Sequence, residues 1–255
     1  MAQLIISTDF DGTLISQPET APFAPCFIDK LNELEKKNDV IWVINTGRHW
    51  QILEQSLREI AAPRYPDWAV VIEREVLQIK DNKPHELKDW NHHCRRAHKE
   101  LFEKSRSVFH HLRKALEAFK GIQITDDHDS PFGLIALNLE QAHEIEQTIR
   151  HYINQFPELI LVRNTIYFRF AHRDYTKGTS LQAIANHYQL PASACFAVGD
   201  NLNDIPMLHR DYAHHIACPG NAMPVVKEHV ANQQGYIAQQ THAAGVTEAL
   251  NYFFK

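Results

Sequence analysis

The chain has 255 residues, 44% hydrophobic and 22% charged, the balance of a globular protein with one large domain or two unequal ones. A formal net charge of −5 argues against a nucleic-acid partner, whose phosphates want a basic face, and no apolar run reaches the ~18 residues of a membrane span. Cys26, Cys94, Cys195 and Cys218 are scattered without a C-x-x-C pair and no cationic-then-apolar leader opens the chain, so the expectation is a reduced, cytoplasmic protein.

The first apolar run opens with Ile5-Ile6 and ends in Asp9-Phe10-Asp11-Gly12-Thr13-Leu14. If the strand persists through Asp11, period two puts both carboxylates on one face. They then sit at a strand's carboxyl end, where open α/β sheets collect ligands. Two acids there suit a divalent cation, or a nucleophile with an acid/base; a lone D-x-D is as readily a turn cap beside a solvated acid. Phe27, Ile28, Leu31 and Leu34 have helical spacing. Val40-Ile41-Trp42-Val43-Ile44 reads as a buried parallel strand and closes on Asn45-Thr46-Gly47-Arg48. A hydroxyl, a glycine and a cation are what a phosphate pocket needs, although a strand-to-helix turn explains the four residues equally well. A helix from about His49 to Ile60, a break at Pro63 and Pro66, and a strand from Trp68 to Ile72 follow. Next comes Glu73-Arg74-Glu75, where Arg74 reads as a solvated surface arginine or as a cation offered to an anionic substrate.

From about Lys83 the chain changes character. Asp89 to Lys120 carries the apolar spacing of one or two amphipathic helices. Strands are expected at Ile122–Thr125 and Leu134–Leu139, a helix over Glu140–Phe156, and a hairpin from Leu159 to Phe170 about Arg163-Asn164-Thr165. His92, His93, His98, His110 and His111 cluster here, but no H-E-x-x-H pattern is present, and they read as surface histidines. The main sheet then resumes. Lys177-Gly178 opens an amphipathic helix whose N-terminus favours an anion. Cys195–Val198 is a strand ending in Gly199-Asp200-Asn201-Leu202-Asn203-Asp204, and Pro219-Gly220-Asn221-Ala222 and Thr241–Val246 come after it.

In this order D-x-D-G-T from Asp9, T-G-R from Thr46, K-G-x-S-L from Lys177, G-D-x-x-N-D from Gly199 and G-N-A-x-x-x-V-K from Gly220 resemble the motifs of the haloacid dehalogenase superfamily. The inserted α+β stretch and the tail resemble its class IIB branch of Cof-type and sucrose-phosphate phosphatases. The resemblance implies a Rossmann-like three-layer α/β core with a mostly parallel sheet from residues 1–82 and 172–255, and a C2B-type α+β cap over 83–171, with hinges near Asn82–Pro84 and Ala171–Tyr175. It implies an Mg²⁺-dependent phosphomonoester hydrolase acting on a small sugar phosphate through an aspartyl-phosphate. Asp9 is then the nucleophile and Asp11 the acid/base. Thr46, Gly47, Arg48, Lys177, Asn203 and Asn221 are the substrate-binding set, with Thr46 and Lys177 on the phosphoryl group. Asp9, Asp11 (through its backbone carbonyl), Asp200 and Asp204 make the metal site. Glu73-Arg74-Glu75 departs from the glycine-containing turn of this branch.

A charge argument points the same way. A phosphate dianion among three aspartates faces one lysine, and two unit charges ~4 Å apart repel by about 4 kcal/mol at an effective dielectric near 20, so a divalent cation is required. The expected partner is a small phosphorylated metabolite. Two other functions stay open: a phosphomannomutase-like mutase, with Arg95, Arg96 and Arg106 available to a second phosphate, and a non-catalytic phosphosugar-binding protein. The presence of both Asp9 and Asp11 speaks against the second, since binding alone needs no acid/base.

Overall fold

The computed structural model describes residues 2–16 and 25–255. In chain order it begins with β1 (Ala2–Thr8), α1 (Pro25–Glu35), β2 (Asn38–Asn45), α2 (Trp50–Glu59), β3 (Trp68–Val71), β4 (Glu75–Lys80) and β5 (Lys83–Glu86). There follow α3 (Lys88–Lys104), α4 (Arg106–Leu116), β6 (Gln123–Thr125), β7 (Gly133–Ile135), α5 (Leu139–Ile153), β8 (Leu159–Asn164) and β9 (Tyr167–His172). The chain closes with α6 (Lys177–His187), β10 (Cys195–Val198), β11 (His215–Cys218), α7 (Pro224–Asn232), β12 (Tyr236–Ile237) and α8 (His242–Phe253). Two compact units emerge: residues up to Asn91 together with those from Lys177 onward, and His92–Thr176.

The first unit is built on an eight-stranded sheet of order β12-β11-β10-β1-β2-β3-β4-β5. Pairing is parallel from β12 to β3 and antiparallel at β4 and β5. Successive β1 side chains leave on opposite faces. Ile6 joins Trp42, Ile44, Phe196 and Val198 beneath α1, α2 and α8, contributing Leu31, Leu53 and Leu250. Ile5 joins Ile41, Val43 and Ala197 beneath α6 and α7, contributing Leu181, Ile184, Val226 and Val230. Both faces of the central strands are therefore dry, and each fully buried aliphatic side chain contributes about 1.5–3 kcal/mol. β1 lies between β2 and β10, where the strand order reverses, so its carboxyl end opens at the switch point of the sheet.

The β4–β5 hairpin differs from the sequence reading, which began the insert at Lys83. Asp81 and Asn82 both take positive φ (51° and 60°), the two-residue turn that matches strand twist, and Lys83–Glu86 pairs back along β4. The buried Asn91 amide then brackets Val76, accepting from its N–H at 2.8 Å and donating to its carbonyl at 3.0 Å. The chain is thus tied to the large sheet as far as the first turn of α3.

The second unit is a four-stranded antiparallel sheet of order β6-β7-β9-β8. Phe109 and Leu112 of α4 and Ile145 and Ile149 of α5 pack with Phe132, Leu134 and Phe170. The strand expected over Leu134–Leu139 ends at Ile135, because Asn138 caps α5 by accepting from the Gln141 N–H. His98 corrects the surface reading of the histidines. It is buried, its Nε2 accepts from the His172 N–H at 3.0 Å, and Nδ1 therefore donates to the Cys94 carbonyl at 2.8 Å. His92, His93, His110 and His111 are exposed. Among the described residues, no helix is long and apolar enough to cross a membrane.

Candidate active site

β1 stops at Thr8, so the two aspartates of the first motif do not share a strand face as expected. The Asp9 N–H still donates to the Val198 carbonyl at 2.9 Å, keeping Asp9 at the β1–β10 junction. The chain then turns back on itself, with the Leu14 and Ile15 N–H groups donating to the Phe10 carbonyl. Gly12 takes φ 81°, and a Cβ there would stand 2.5 Å from Asp200 Oδ2, so the turn requires glycine on both counts.

Lys177, the first residue of α6, is buried and divides its ammonium between Asp9 Oδ1 and Asp204 Oδ1, both at 2.7 Å. Asp204 is engaged on its other oxygen too, accepting from the Asp200 and Asn201 N–H groups at 2.9 Å. Asp200 Oδ1 accepts from the Thr13 hydroxyl at 2.7 Å. Asp9, Asp200 and Asp204 are all buried, and each offers a carboxylate oxygen within 4.8 Å of the others.

Three buried carboxylates thus face one buried ammonium, and the proton affinities record it. Burial, then the Asp204 charge, holds the Asp9 carboxyl well above its ordinary range. Burial and Asp204 push Asp200 up to about 7. Burial alone would lower the Lys177 pKa, but Asp204, Asp9 and Glu73 outweigh it and raise it. Oxygen donors carrying excess negative charge fit a hard divalent cation. Asp9 and Asp200 are the carboxylates best placed to ligate it directly, because Asp204 already holds Lys177 and two backbone N–H groups. The Asp11 side chain is not part of this carboxylate cluster.

The other sequence candidates divide. Thr46, at the end of β2, is buried; its hydroxyl oxygen accepts from the Arg48 N–H at 3.2 Å. Arg48 is turned to Asp11 rather than to open space. Nε donates to Oδ2 at 2.8 Å and Nη2 to Oδ1, a bidentate pair, while Nη1 donates to the Ser56 hydroxyl and the guanidinium lies over the Phe10 ring. Asn221 is likewise occupied: its Nδ2 donates to the Gly12 carbonyl at 2.7 Å, and its Oδ1 accepts from the His242 N–H at 2.8 Å. It ties the Asp9 turn to the start of α8. Asn203 is buried, donates from Nδ2 to Glu73 Oε1 at 2.9 Å, and among the described residues its Oδ1 has no partner.

Glu73 is the residue that sequence reasoning missed, and Arg74 the one it misplaced. Arg74 is buried rather than solvated, and its carbonyl accepts from the Trp90 indole and the Ser180 hydroxyl. Ile72 and Glu73 take φ of 45° and 67°, a left-handed pair that costs non-glycine residues about 1–3 kcal/mol each. Two hydrogen bonds hold the strained turn on the Thr46 loop, Ile72 N–H to the Arg48 carbonyl at 3.0 Å and Glu73 N–H to the Thr46 carbonyl at 2.9 Å. The only sequence signal was the absence of a glycine at a turn that needs one.

The chain as a whole is similar in fold to solved haloacid dehalogenase-like hydrolases. It is similar in fold to the sucrose-phosphatase of Synechocystis sp. PCC6803, solved with sucrose and phosphate, at 16% identity over 99% of this chain and 98% of that one, with a TM-score of 0.76. A phosphatase of the same superfamily from Bacteroides thetaiotaomicron shares the fold at 21% identity over 99% and 95% of the two chains, TM-score 0.65. Residues 2–254 match the model of the sucrose-6F-phosphate phosphohydrolase family, and the chain belongs to that family. A phosphoglycolate phosphatase of Methanothrix thermoacetophila is 27% identical over 124 residues, 49% of this chain and 53% of that protein; the match spans about half the length of that relative.

Proposed function

We propose that the protein is an Mg²⁺-dependent phosphomonoester hydrolase acting on a small sugar phosphate through an aspartyl-phosphate on Asp9. The observation that carries this reading is the Lys177 ammonium shared by Asp9 and Asp204 beside the buried Asp200. Membership of the phosphohydrolase family supports it, and the name of the fold neighbour that was solved with sucrose and phosphate supports a sugar as the alcohol.

A carboxylate oxygen of Asp9 attacks phosphorus as the ester P–O bond breaks. Thr46 donates its hydroxyl proton to a phosphoryl oxygen and Lys177 neutralises another. Asp11 gives the departing oxygen its proton and then takes one from the water that attacks the aspartyl-phosphate, regenerating Asp9 and releasing phosphate. The Arg48 pair grips both oxygens of Asp11, so this exchange requires the pair to part. Asp204 keeps Lys177 and the Asp200 loop in place. Mg²⁺ held by Asp9, Asp200 and the Asp11 carbonyl supplies the positive charge that lets anionic phosphate approach anionic carboxylates. The inserted α+β unit is assigned the role of a cap that excludes water and selects the alcohol. Arg95, Arg96 and Arg106 are exposed, with Arg96 paired to Glu100 at 3.1 Å, as on a solvated helix face, and nothing about them favours the mutase reading.

Two results are expected. Asp11→Asn should phosphorylate slowly and turn over poorly, lowering kcat about 10²–10⁴-fold, the usual worth of general acid–base catalysis. Rapid-quench detection of a persisting phosphoenzyme checks it, and wild-type turnover would remove Asp11 from the mechanism. The second concerns the cation. Asp200 titrates at about 7 in the folded chain against an ordinary 3.8, so the cation-free fold binds a proton that the unfolded chain releases. That stabilisation is complete below about pH 4 and is lost as pH rises through about 7, a contribution of up to about 4 kcal/mol. Mg²⁺ should therefore raise Tm more at pH 8 than at pH 5. An equal increment at both would place the cation elsewhere.

A further inference from the structure

The mechanism makes no use of Glu73, yet its carboxylate is built into the site. The turn that carries it is held on the Thr46–Arg48 loop by two hydrogen bonds, from the Ile72 and Glu73 N–H groups, in a conformation that side chains avoid. Its Oε1 lies 3.2 Å from where a Cβ on Gly47 would stand, so the carboxylate rests against the bare backbone of the phosphate loop. It is 8% exposed and, among the described residues, its side-chain partner is not a cation but the neutral Asn203 amide at 2.9 Å. A carboxylate only accepts, so the Asn203 amide presents its NH₂ to Glu73, and among the described residues its buried Oδ1 has no donor. The field of Glu73 reaches the centre of the site, since it is one of the charges that hold the proton on Lys177.

We propose that Glu73 is a specificity-determining residue of this site: its carboxylate sets a fixed acceptor and a negative charge against the Thr46–Gly47 loop. The site thereby favours phosphomonoesters whose remainder is a neutral polyol and disfavours those carrying a second anionic group. The inference rests on the phosphatase reading. The transferring phosphoryl group has Lys177 and a cation to neutralise it, whereas a carboxylate or second phosphate on the same molecule meets Glu73 without either.

The test compares a hexose 6-phosphate with phosphoglycolate on wild type and Glu73→Gln, by steady-state kinetics and by calorimetric affinity in Mg²⁺. Wild type should prefer the sugar ester. Glu73→Gln should shift the ratio of kcat/KM toward phosphoglycolate by about tenfold, through KM rather than kcat, and shift the affinity ratio likewise. A purely structural role would lower both substrates together. Glu73→Gly removes the carboxylate and suits the positive φ, so it should fold even where glutamine does not, and should give the same shift; Glu73→Asp keeps the charge and should keep the preference. Unchanged ratios in the glutamine and glycine variants would overturn the proposal. Absence of turnover for every ester would instead sink the phosphatase reading, and the affinity ratio would still decide for or against Glu73.

Discussion

Asp9→Asn should lower hydrolysis of every phosphomonoester by at least about a thousandfold, the scale on which loss of a nucleophile is felt. An amide of the same shape keeps an oxygen for the Lys177 ammonium, which donates to Asp9 at 2.7 Å, but it cannot attack phosphorus or offer a cation an anionic oxygen. The fold should not suffer. Asp9 is one of three buried carboxylates crowded about one lysine, and burial and Asp204 already push it toward the neutral form. Removing its charge relieves repulsion, so the cation-free variant should melt no lower than wild type. Phosphate release and thermal melting check the two halves separately. A variant that melts normally and still hydrolyses esters would remove Asp9 from the chemistry.

Lys177→Met should affect both stability and activity. The ammonium is buried with Asp9 and Asp204 as its partners, and breaking a buried charge cluster by deleting one partner costs about 3–5 kcal/mol. In chelator the variant should melt well below wild type, and Mg²⁺ should recover part of the loss by supplying positive charge to the same carboxylates. Activity should fall about 10²–10³-fold even with Mg²⁺, the usual effect of removing one charge-stabilising donor from a transition state. An unchanged melting temperature in chelator would mean that Lys177 does not balance the aspartates.

The sequence showed most clearly what each strand end declares locally. Buried strands read as apolar runs, and the residues that end them, Asp9, Thr46 and Gly199-Asp200, stand where the sheet puts them. What it could not show depends on contacts between distant residues. The carboxylates of Asp9 and Asp11 look equivalent in sequence, but Gly12 turns the chain and one goes to Lys177, the other to Arg48, 37 positions away. Arg48 and Asn221, read as substrate contacts, are bonded to Asp11 and to the Gly12 carbonyl. Strand β5, Lys-Pro-His-Glu, is exposed at every position, so no apolar pattern announces it; only the Asp81–Asn82 turn closes it onto β4. His98 was read as solvated and Arg74 as solvated or substrate-facing, yet both are buried among groups from distant segments: the His172 N–H donates to the His98 ring, and the Trp90 indole and Ser180 hydroxyl donate to the Arg74 carbonyl. Glu73 shares this history: its strained turn is visible only once Thr46 and Arg48 are seen beside it.

The central claim is that the acid–lysine cluster hydrolyses phosphomonoesters with a divalent cation and Asp9. It is tested most directly by phosphate release from a panel of sugar phosphates and simple phosphomonoesters, in Mg²⁺ and in chelator, for wild type beside Asp9→Asn. Release that needs Mg²⁺ and disappears in the variant is the expected result. Release that persists in chelator or in Asp9→Asn, or no release from any ester, would contradict it.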